Sequence, residues 1–167
     1  MLEDLHYLRE QAQKATTRGA FDQAAASLFQ AAQQTHVAEA DYAGVLRPLV
    51  QVLEKLNRSR DALTVAWYLA QADKSASAVG ARWQPALDLA RRASDVDRAR
   101  TFAAAGKMDE AARAAEAGGR VALAAIYREK ASDWSGARTL WSRLAQVLSK
   151  ASGDAYLGAL VSFNLAR

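Results

Sequence analysis

Apolar residues recur at steps of three and four along almost the whole chain, and the turns between these runs are only two to five residues long. Such spacing places the apolar side chains on one face of a helix. Turns that short oblige consecutive helices to lie antiparallel. Leu2, Leu5, Leu8, Ala12 and Ala15 mark a first helix, which Gly19 ends because glycine takes the left-handed conformation past a helix terminus. Phe21, Ala24, Ala25, Leu28 and Ala31 mark a second. A third is expected over 37–56, with Pro48 kinking it or marking its true start. A fourth is expected over 61–76, after a turn at 57–60.

Beyond a break at 77–80 the helices shorten. One carries Pro85 in its first turn, where a missing N–H costs nothing. The next is capped by Ser94-Asp95 and reaches Ala105. Met108–Ala117 and Arg120–Ala131 follow, and Ser132-Asp133 caps a helix from Trp134 to Ser149. Asp154 opens a last segment, 155–167. The reading is about ten helices in a single domain over 1–167.

Composition agrees with an all-α fold. Half of the residues (51%) are apolar, there are two prolines, and Ile126 is the one isoleucine, so a large sheet is not expected. The net charge is +4, with −3 over residues 1–45 and +7 over the rest. The bases are interleaved with acids, which reads as a solvated surface with a mild preference for acidic partners. No cysteine is present, so disulfide and thiolate chemistry are excluded. A cytoplasmic location is expected, since the start lacks the basic and apolar pattern of a signal peptide. No apolar run reaches the length of a membrane span. Abundant arginine and alanine fit a GC-rich bacterial genome.

One pattern returns at each helix pair: a turn residue, a bulky side chain, and an alanine. It reads Gly19-Ala20-Phe21-Asp22-Gln23-Ala24, then Asn57-Arg58-Ser59-Arg60-Asp61-Ala62. It returns as Gly106-Lys107-Met108-Asp109-Glu110-Ala111 and as Ser132-Asp133-Trp134-Ser135-Gly136-Ala137. The turn residue redirects the chain, the bulky residue plugs the helix junction, and the alanine lets two helices approach closely. This resembles the tetratricopeptide repeat in degenerate form. The first unit carries Leu8, Ala12, Ala15, Gly19, Phe21, Ala24, Leu28 and Ala31, and the second Leu46, Leu49, Leu53, Ala62 and Leu69. The repeated alanines stand 38, 49 and 26 residues apart, against about 34 in the family. Residues 77–105 do not fit one repeat, and the shorter later helices also resemble clathrin-type and coatomer-type solenoids.

The resemblance implies a right-handed α-solenoid of antiparallel helix pairs. It implies a non-enzymatic scaffold or adaptor that binds a protein or peptide on a concave helical surface. The first helices of the pairs would line that surface, giving Arg9, Gln13 and Thr16, then Arg47, Gln51 and Glu54, then Arg100 and Glu129-Lys130. Arg9, Arg47 and Arg100 would form a basic track for an acidic peptide. The alternative is a regulatory nucleic-acid binder, less favoured because the aromatics fall on apolar faces rather than along a basic stripe.

Other residues give little chemistry. His6 and His36 have no partner at metal-ligand spacing, so neither a metal nor a cofactor is expected. Gly118-Gly119-Arg120 reads as a helix end rather than a phosphate loop. Arg91-Arg92-Ala93-Ser94 resembles a kinase target, but Ser94 reads first as a cap. Trp67, Trp134 and Trp141 fall at core positions; Trp83, at a break, is read as core or as an exposed contact. The last segment is apolar around most of its circumference, through Tyr156, Leu157, Leu160, Val161, Phe163 and Leu165. It is expected to continue into a longer repeat protein, to contact a partner or second copy as a homo-oligomer, or to fold into its own core. Circular dichroism should give a strongly helical spectrum with no added metal or cofactor, and a sheet-rich spectrum would exclude the reading.

Overall fold

The computed structural model describes residues 2–35, 40–72 and 79–150, together with Gly158, Val161 and Asn164. Among the described residues there are nine helices and no strand. The chain divides into two compact units, Met1–Ala93 and Ser94–Arg167.

The first unit holds α1 (Leu2–Thr17), α2 (Phe21–Gln34), α3 (Ala40–Lys55), α4 (Ser59–Ala72) and α5 (Val79–Ala90). Each helix packs on the next in sequence. The α3/α4 pair repeats α1/α2 after 38 residues. The helix ends Thr17 and Lys55, the turn residues Gly19 and Asn57, and the helix starts Phe21 and Ser59 all correspond. The buried positions correspond as well: Leu8 with Leu46, Ala12 with Val50, Ala15 with Leu53, Ala24 with Ala62, and Ala31 with Leu69. α5 has the look of a third first helix one residue out of step. Trp83, Ala86, Leu87 and Ala90 are buried 37 residues after Leu46, Leu49, Val50 and Leu53.

Prolines fall inside both α3 and α5. α3 runs through Pro48 as one helix. Pro85 is not in a first turn, because α5 starts at Val79. It stands mid-helix and removes the donor for the carbonyl of Ala81. Trp83 is only 7% exposed and meets Trp67 edge to face, with ring centroids 5.2 Å apart. That geometry sets the positive edge of one ring against the negative face of the other.

The second unit holds α6 (Asp95–Ala104), α7 (Met108–Ala117), α8 (Val121–Lys130) and α9 (Trp134–Lys150). Here too neighbours in sequence pack together. The starts, 95, 108, 121 and 134, are evenly spaced at 13 residues. Its core is built largely of alanine: Ala99, Ala111, Ala115, Ala124 and Ala125 are fully buried around Trp141. Such small residues let helix axes approach to the lower end of the usual 8–10 Å range. Trp141 supplies the bulk, at 2% exposure. Burying an indole of this size contributes roughly 4–6 kcal/mol as an upper bound.

Five turns share one construction. Each has three residues between helices, and the middle one is left-handed: Gly19, Asn57, Gly106, Gly119 and Ser132. The following amide reaches back five residues, as in Lys107 N to Phe102 O (2.8 Å), Arg120 N to Ala115 O (2.8 Å) and Asp133 N to Arg128 O (2.9 Å). This satisfies carbonyls that the helix end leaves open. The same residue then accepts the first bond of the next helix from Ala24, Ala62, Ala111, Ala124 or Ala137. All five of those alanines are at most 2% exposed.

Trp134 and the start of α4 also differ from the sequence-based expectation, whereas Gly118 closes α7 as expected. Trp134 is not in the core but 61% exposed, because it is the first residue of α9, ahead of the face that packs on α8. α4 starts at Ser59 rather than 61, and its expected end at 76 lies outside the described residues. Gly118 is where α7 meets α6: a methyl group there would lie 2.9 Å from Asp95 Cβ, so close approach demands glycine. His36, Tyr156, Leu157, Leu160 and Phe163 lie outside the described residues, while Val161 is buried in the second unit's core.

A left-handed backbone costs a non-glycine residue roughly 1–2 kcal/mol. Part of that returns as the greater unfolded entropy of glycine. Ser132→Gly should therefore raise the unfolding free energy by up to about 1 kcal/mol in urea titration.

Candidate functional site

Two clefts carry the residues with chemical potential, one in each unit. In the first unit a cleft of about 580 Å³ lies between α3 and α5. Leu69 from α4, with Val50 and Leu89, gives it a buried apolar floor. Arg47, Gln51 and Glu54 come from α3, one and two turns apart on one face. Arg82, Pro85 and Asp88 come from α5.

The charges in this cleft are unequally matched. Arg92 Nη2 lies 3.0 Å from Glu54 Oε1 and joins the end of α5 to α3. Asp88 accepts from Gln84 Nε2 at 2.9 Å and has Arg91 Nη1 at 3.7 Å. Arg82 is different: its Nε is buried, and it has no hydrogen-bond partner. It stands 37 residues after Val45, which is fully buried in α3, so the repeat sets a guanidinium where its predecessor sets a core valine. A buried donor without an acceptor costs about 1–3 kcal/mol, so the site favours a ligand that supplies one.

Arg9 and Gln13 occupy in α1 the places that Arg47 and Gln51 hold in α3, 38 residues on. The Arg9 guanidinium lies over α3 at Gly44, where an added methyl would be 3.3 Å from its Nη2. Gln13 lines a smaller depression of about 340 Å³ with Glu10, Lys14, Thr17 and Arg18. There Lys14 Nζ lies 2.7 Å from Glu10 and holds that carboxyl below its ordinary value. Arg100 is an exposed residue of α6, in the other unit. Sequence reasoning missed Arg82; the signal available was the match of α5 to α3 at 37 residues.

In the second unit a cleft of about 840 Å³ is lined by Glu129, Trp134, Arg138, Trp141, Ser142 and Arg143, among others. Trp141 Nε1 donates to Glu129 Oε1 at 2.8 Å, so the buried indole is satisfied and that carboxylate is engaged. Beside the cleft, Asp133 caps α9. Its Oδ1 accepts from Gly136 N at 2.9 Å, and its Oδ2 from Arg128 Nη1 at 2.9 Å. Arg128 Nη2 also lies 3.8 Å from Glu116, tying α7 to this turn. Ser94 caps α6 in the same manner, accepting from Asp97 N at 3.2 Å. Among the described residues no group of three or more histidines and acids could hold a metal ion. No helix there is long and apolar enough to cross a membrane.

The backbone amide of Gly136 chiefly holds the Asp133 carboxyl below its ordinary value of 3.8; partial burial opposes this, and Arg128 and Ser135 add to it. A lowered folded value means that the unfolded chain binds more protons, so stability rises with pH. The contribution is complete above the ordinary value and is lost as pH falls through the folded one. The stability gap between the wild type and Asp133→Asn should therefore be largest at neutral pH and should close under acid. A gap independent of pH would remove this role for the carboxylate.

Compared with known proteins, the sequence matches no family model and no characterised relative.

Proposed function

We propose that this chain is a non-enzymatic scaffold or adaptor module, and that the α3–α5 cleft holds an extended acidic segment of a partner protein. The observation that carries this reading is Arg82. Its Nε is buried and unpartnered in a cleft whose apolar floor is flanked by Arg47, Gln51 and Arg92. A carboxylate supplies the missing acceptor, and a guanidinium fork pairs with it in two parallel bonds. The floor of Leu69, Val50 and Leu89 takes an apolar side chain beside that carboxylate. Pro85 leaves the Ala81 carbonyl without its helical donor, and a peptide N–H can fill that place.

The 38-residue correspondence of α1/α2 with α3/α4 supports tetratricopeptide-like pairs, with α5 as the first helix of a third. In that arrangement α1, α3 and α5 share the ligand face, and Arg9 extends the basic lining beyond Arg47. A cytoplasmic setting suits a chain without cysteine.

The test is fluorescence anisotropy with labelled Glu-rich peptides. Arg82→Gln removes a charge-assisted bond of about 1.5–3 kcal/mol and should weaken binding roughly tenfold to a hundredfold. Arg47→Glu should weaken binding and flatten its salt dependence, with the helical spectrum unchanged. Equal affinity in both variants would remove this cleft from consideration.

A further inference from the structure

α9 stands apart in its charge. It contains Arg138, Arg143 and Lys150 and no acid, whereas each of the other eight helices contains at least one. Many arginines elsewhere in the chain are matched: Arg58 with Asp61, Arg91 with Asp88, Arg92 with Glu54, Arg98 with Asp95, and Arg128 with Asp133. Arg138 and Arg143 are exposed and form no ion pair with a described residue. Both line the 840 Å³ cleft of the second unit.

Trp134 lines the same cleft. It is 61% exposed, the most of any large apolar side chain among the described residues. Arg138 follows it by one turn, and Trp141 by two, so all three lie on one side of α9. Ser142 adds a hydroxyl, and the one carboxylate of the lining, Glu129, is turned to the Trp141 indole.

We infer that this cleft binds a nucleotide unit of a single-stranded nucleic acid, with its base stacked on Trp134 and its phosphates held by Arg138 and Arg143. An acidic peptide would use the two cations but would leave the indole face bare. A planar base bearing a phosphate uses both. Aromatic stacking tolerates any base and contributes about 1–3 kcal/mol for each one. Guanidinium groups pair with phosphate through the same fork that recognises carboxylate. The volume suits one nucleotide, with neighbouring nucleotides continuing past the rim. This site is independent of the α3–α5 cleft.

The test is titration of the whole chain with a short oligothymidylate, followed by tryptophan fluorescence and by anisotropy of a labelled strand. Binding should quench the emission. Trp134→Ala should weaken it about tenfold, and Trp134→Phe should restore most of the loss. Arg138→Ala with Arg143→Ala should lower the slope of log affinity against log salt by about 1.4, the value for two phosphates on a single strand. Arg47→Glu should change nothing here, which separates this site from the peptide cleft. Trp134 is exposed, so its variants should keep the wild-type melting temperature. Thymidine monophosphate binding as tightly as the oligonucleotide would keep the chemistry and assign it to a free nucleotide. No quenching, quenching that persists in Trp134→Ala, or displacement of the strand by a Glu-rich peptide would overturn the proposal.

Discussion

The structure depends on how each helix is stopped and the next one started within three residues. A left-handed residue turns the chain, and the amide after it closes the carbonyls of the old helix. The residue after the left-handed one also accepts, at its carbonyl, the first bond of the new helix, and the donor is a buried alanine. Because the alanine has no bulk, the new helix can lie directly against the old one. Turn and packing are thus one device: a larger side chain at Ala111 or Ala124 would push apart helices that the turn holds together.

The two units use that device differently. In the second it joins every consecutive pair, and the result is three ten-residue helices and the longer α9, starting at 13-residue intervals. Helices this short are unstable alone, and here they depend on packing around Trp141. In the first unit the device closes only α1/α2 and α3/α4. The helices there are longer, and larger side chains such as Leu46, Leu49, Leu53, Leu63 and Leu69 fill the core. A cleft lies between α3 and α5 in this unit. Arg82 stands in α5 at the register of the core residue Val45 in α3, and its Nε is buried at that cleft without an acceptor.

Much of this was legible in the sequence. The turns at Gly19, Asn57, Gly106 and Ser132 and their alanines follow from residue type and spacing alone. The helix end at Gly118-Gly119 is legible too, but Ala124 falls outside a pattern read at the interval of helix pairs, whereas 111→124→137 reveals a single-helix interval of 13. Pro85 was misplaced because the start of α5 at Val79 carries no capping signal, only the run Ser77-Ala78-Val79-Gly80. Trp134 reads as core by its place in the repeated pattern, yet the first position of a helix projects ahead of the buried face. Arg47 and Gln51 follow from carrying the groove offsets of the tetratricopeptide resemblance onto the second unit, as Arg9 and Gln13 do for the first. Arg82 does not, because α5 matches α3 at 37 residues rather than 38, and the burial of its Nε arises only in the folded cleft.

Amide hydrogen exchange at Lys107, Arg120 and Asp133 tests the central claim most directly. These three amides follow left-handed residues and sit in turns, where a loosely connected chain would exchange freely. The account predicts that they are protected with the helix interiors on either side, because each donates to a carbonyl five residues back. Exchange at the rate of an unstructured peptide, with the helices still protected, would contradict it: the turns would then be passive links, and the helix spacing would need another cause.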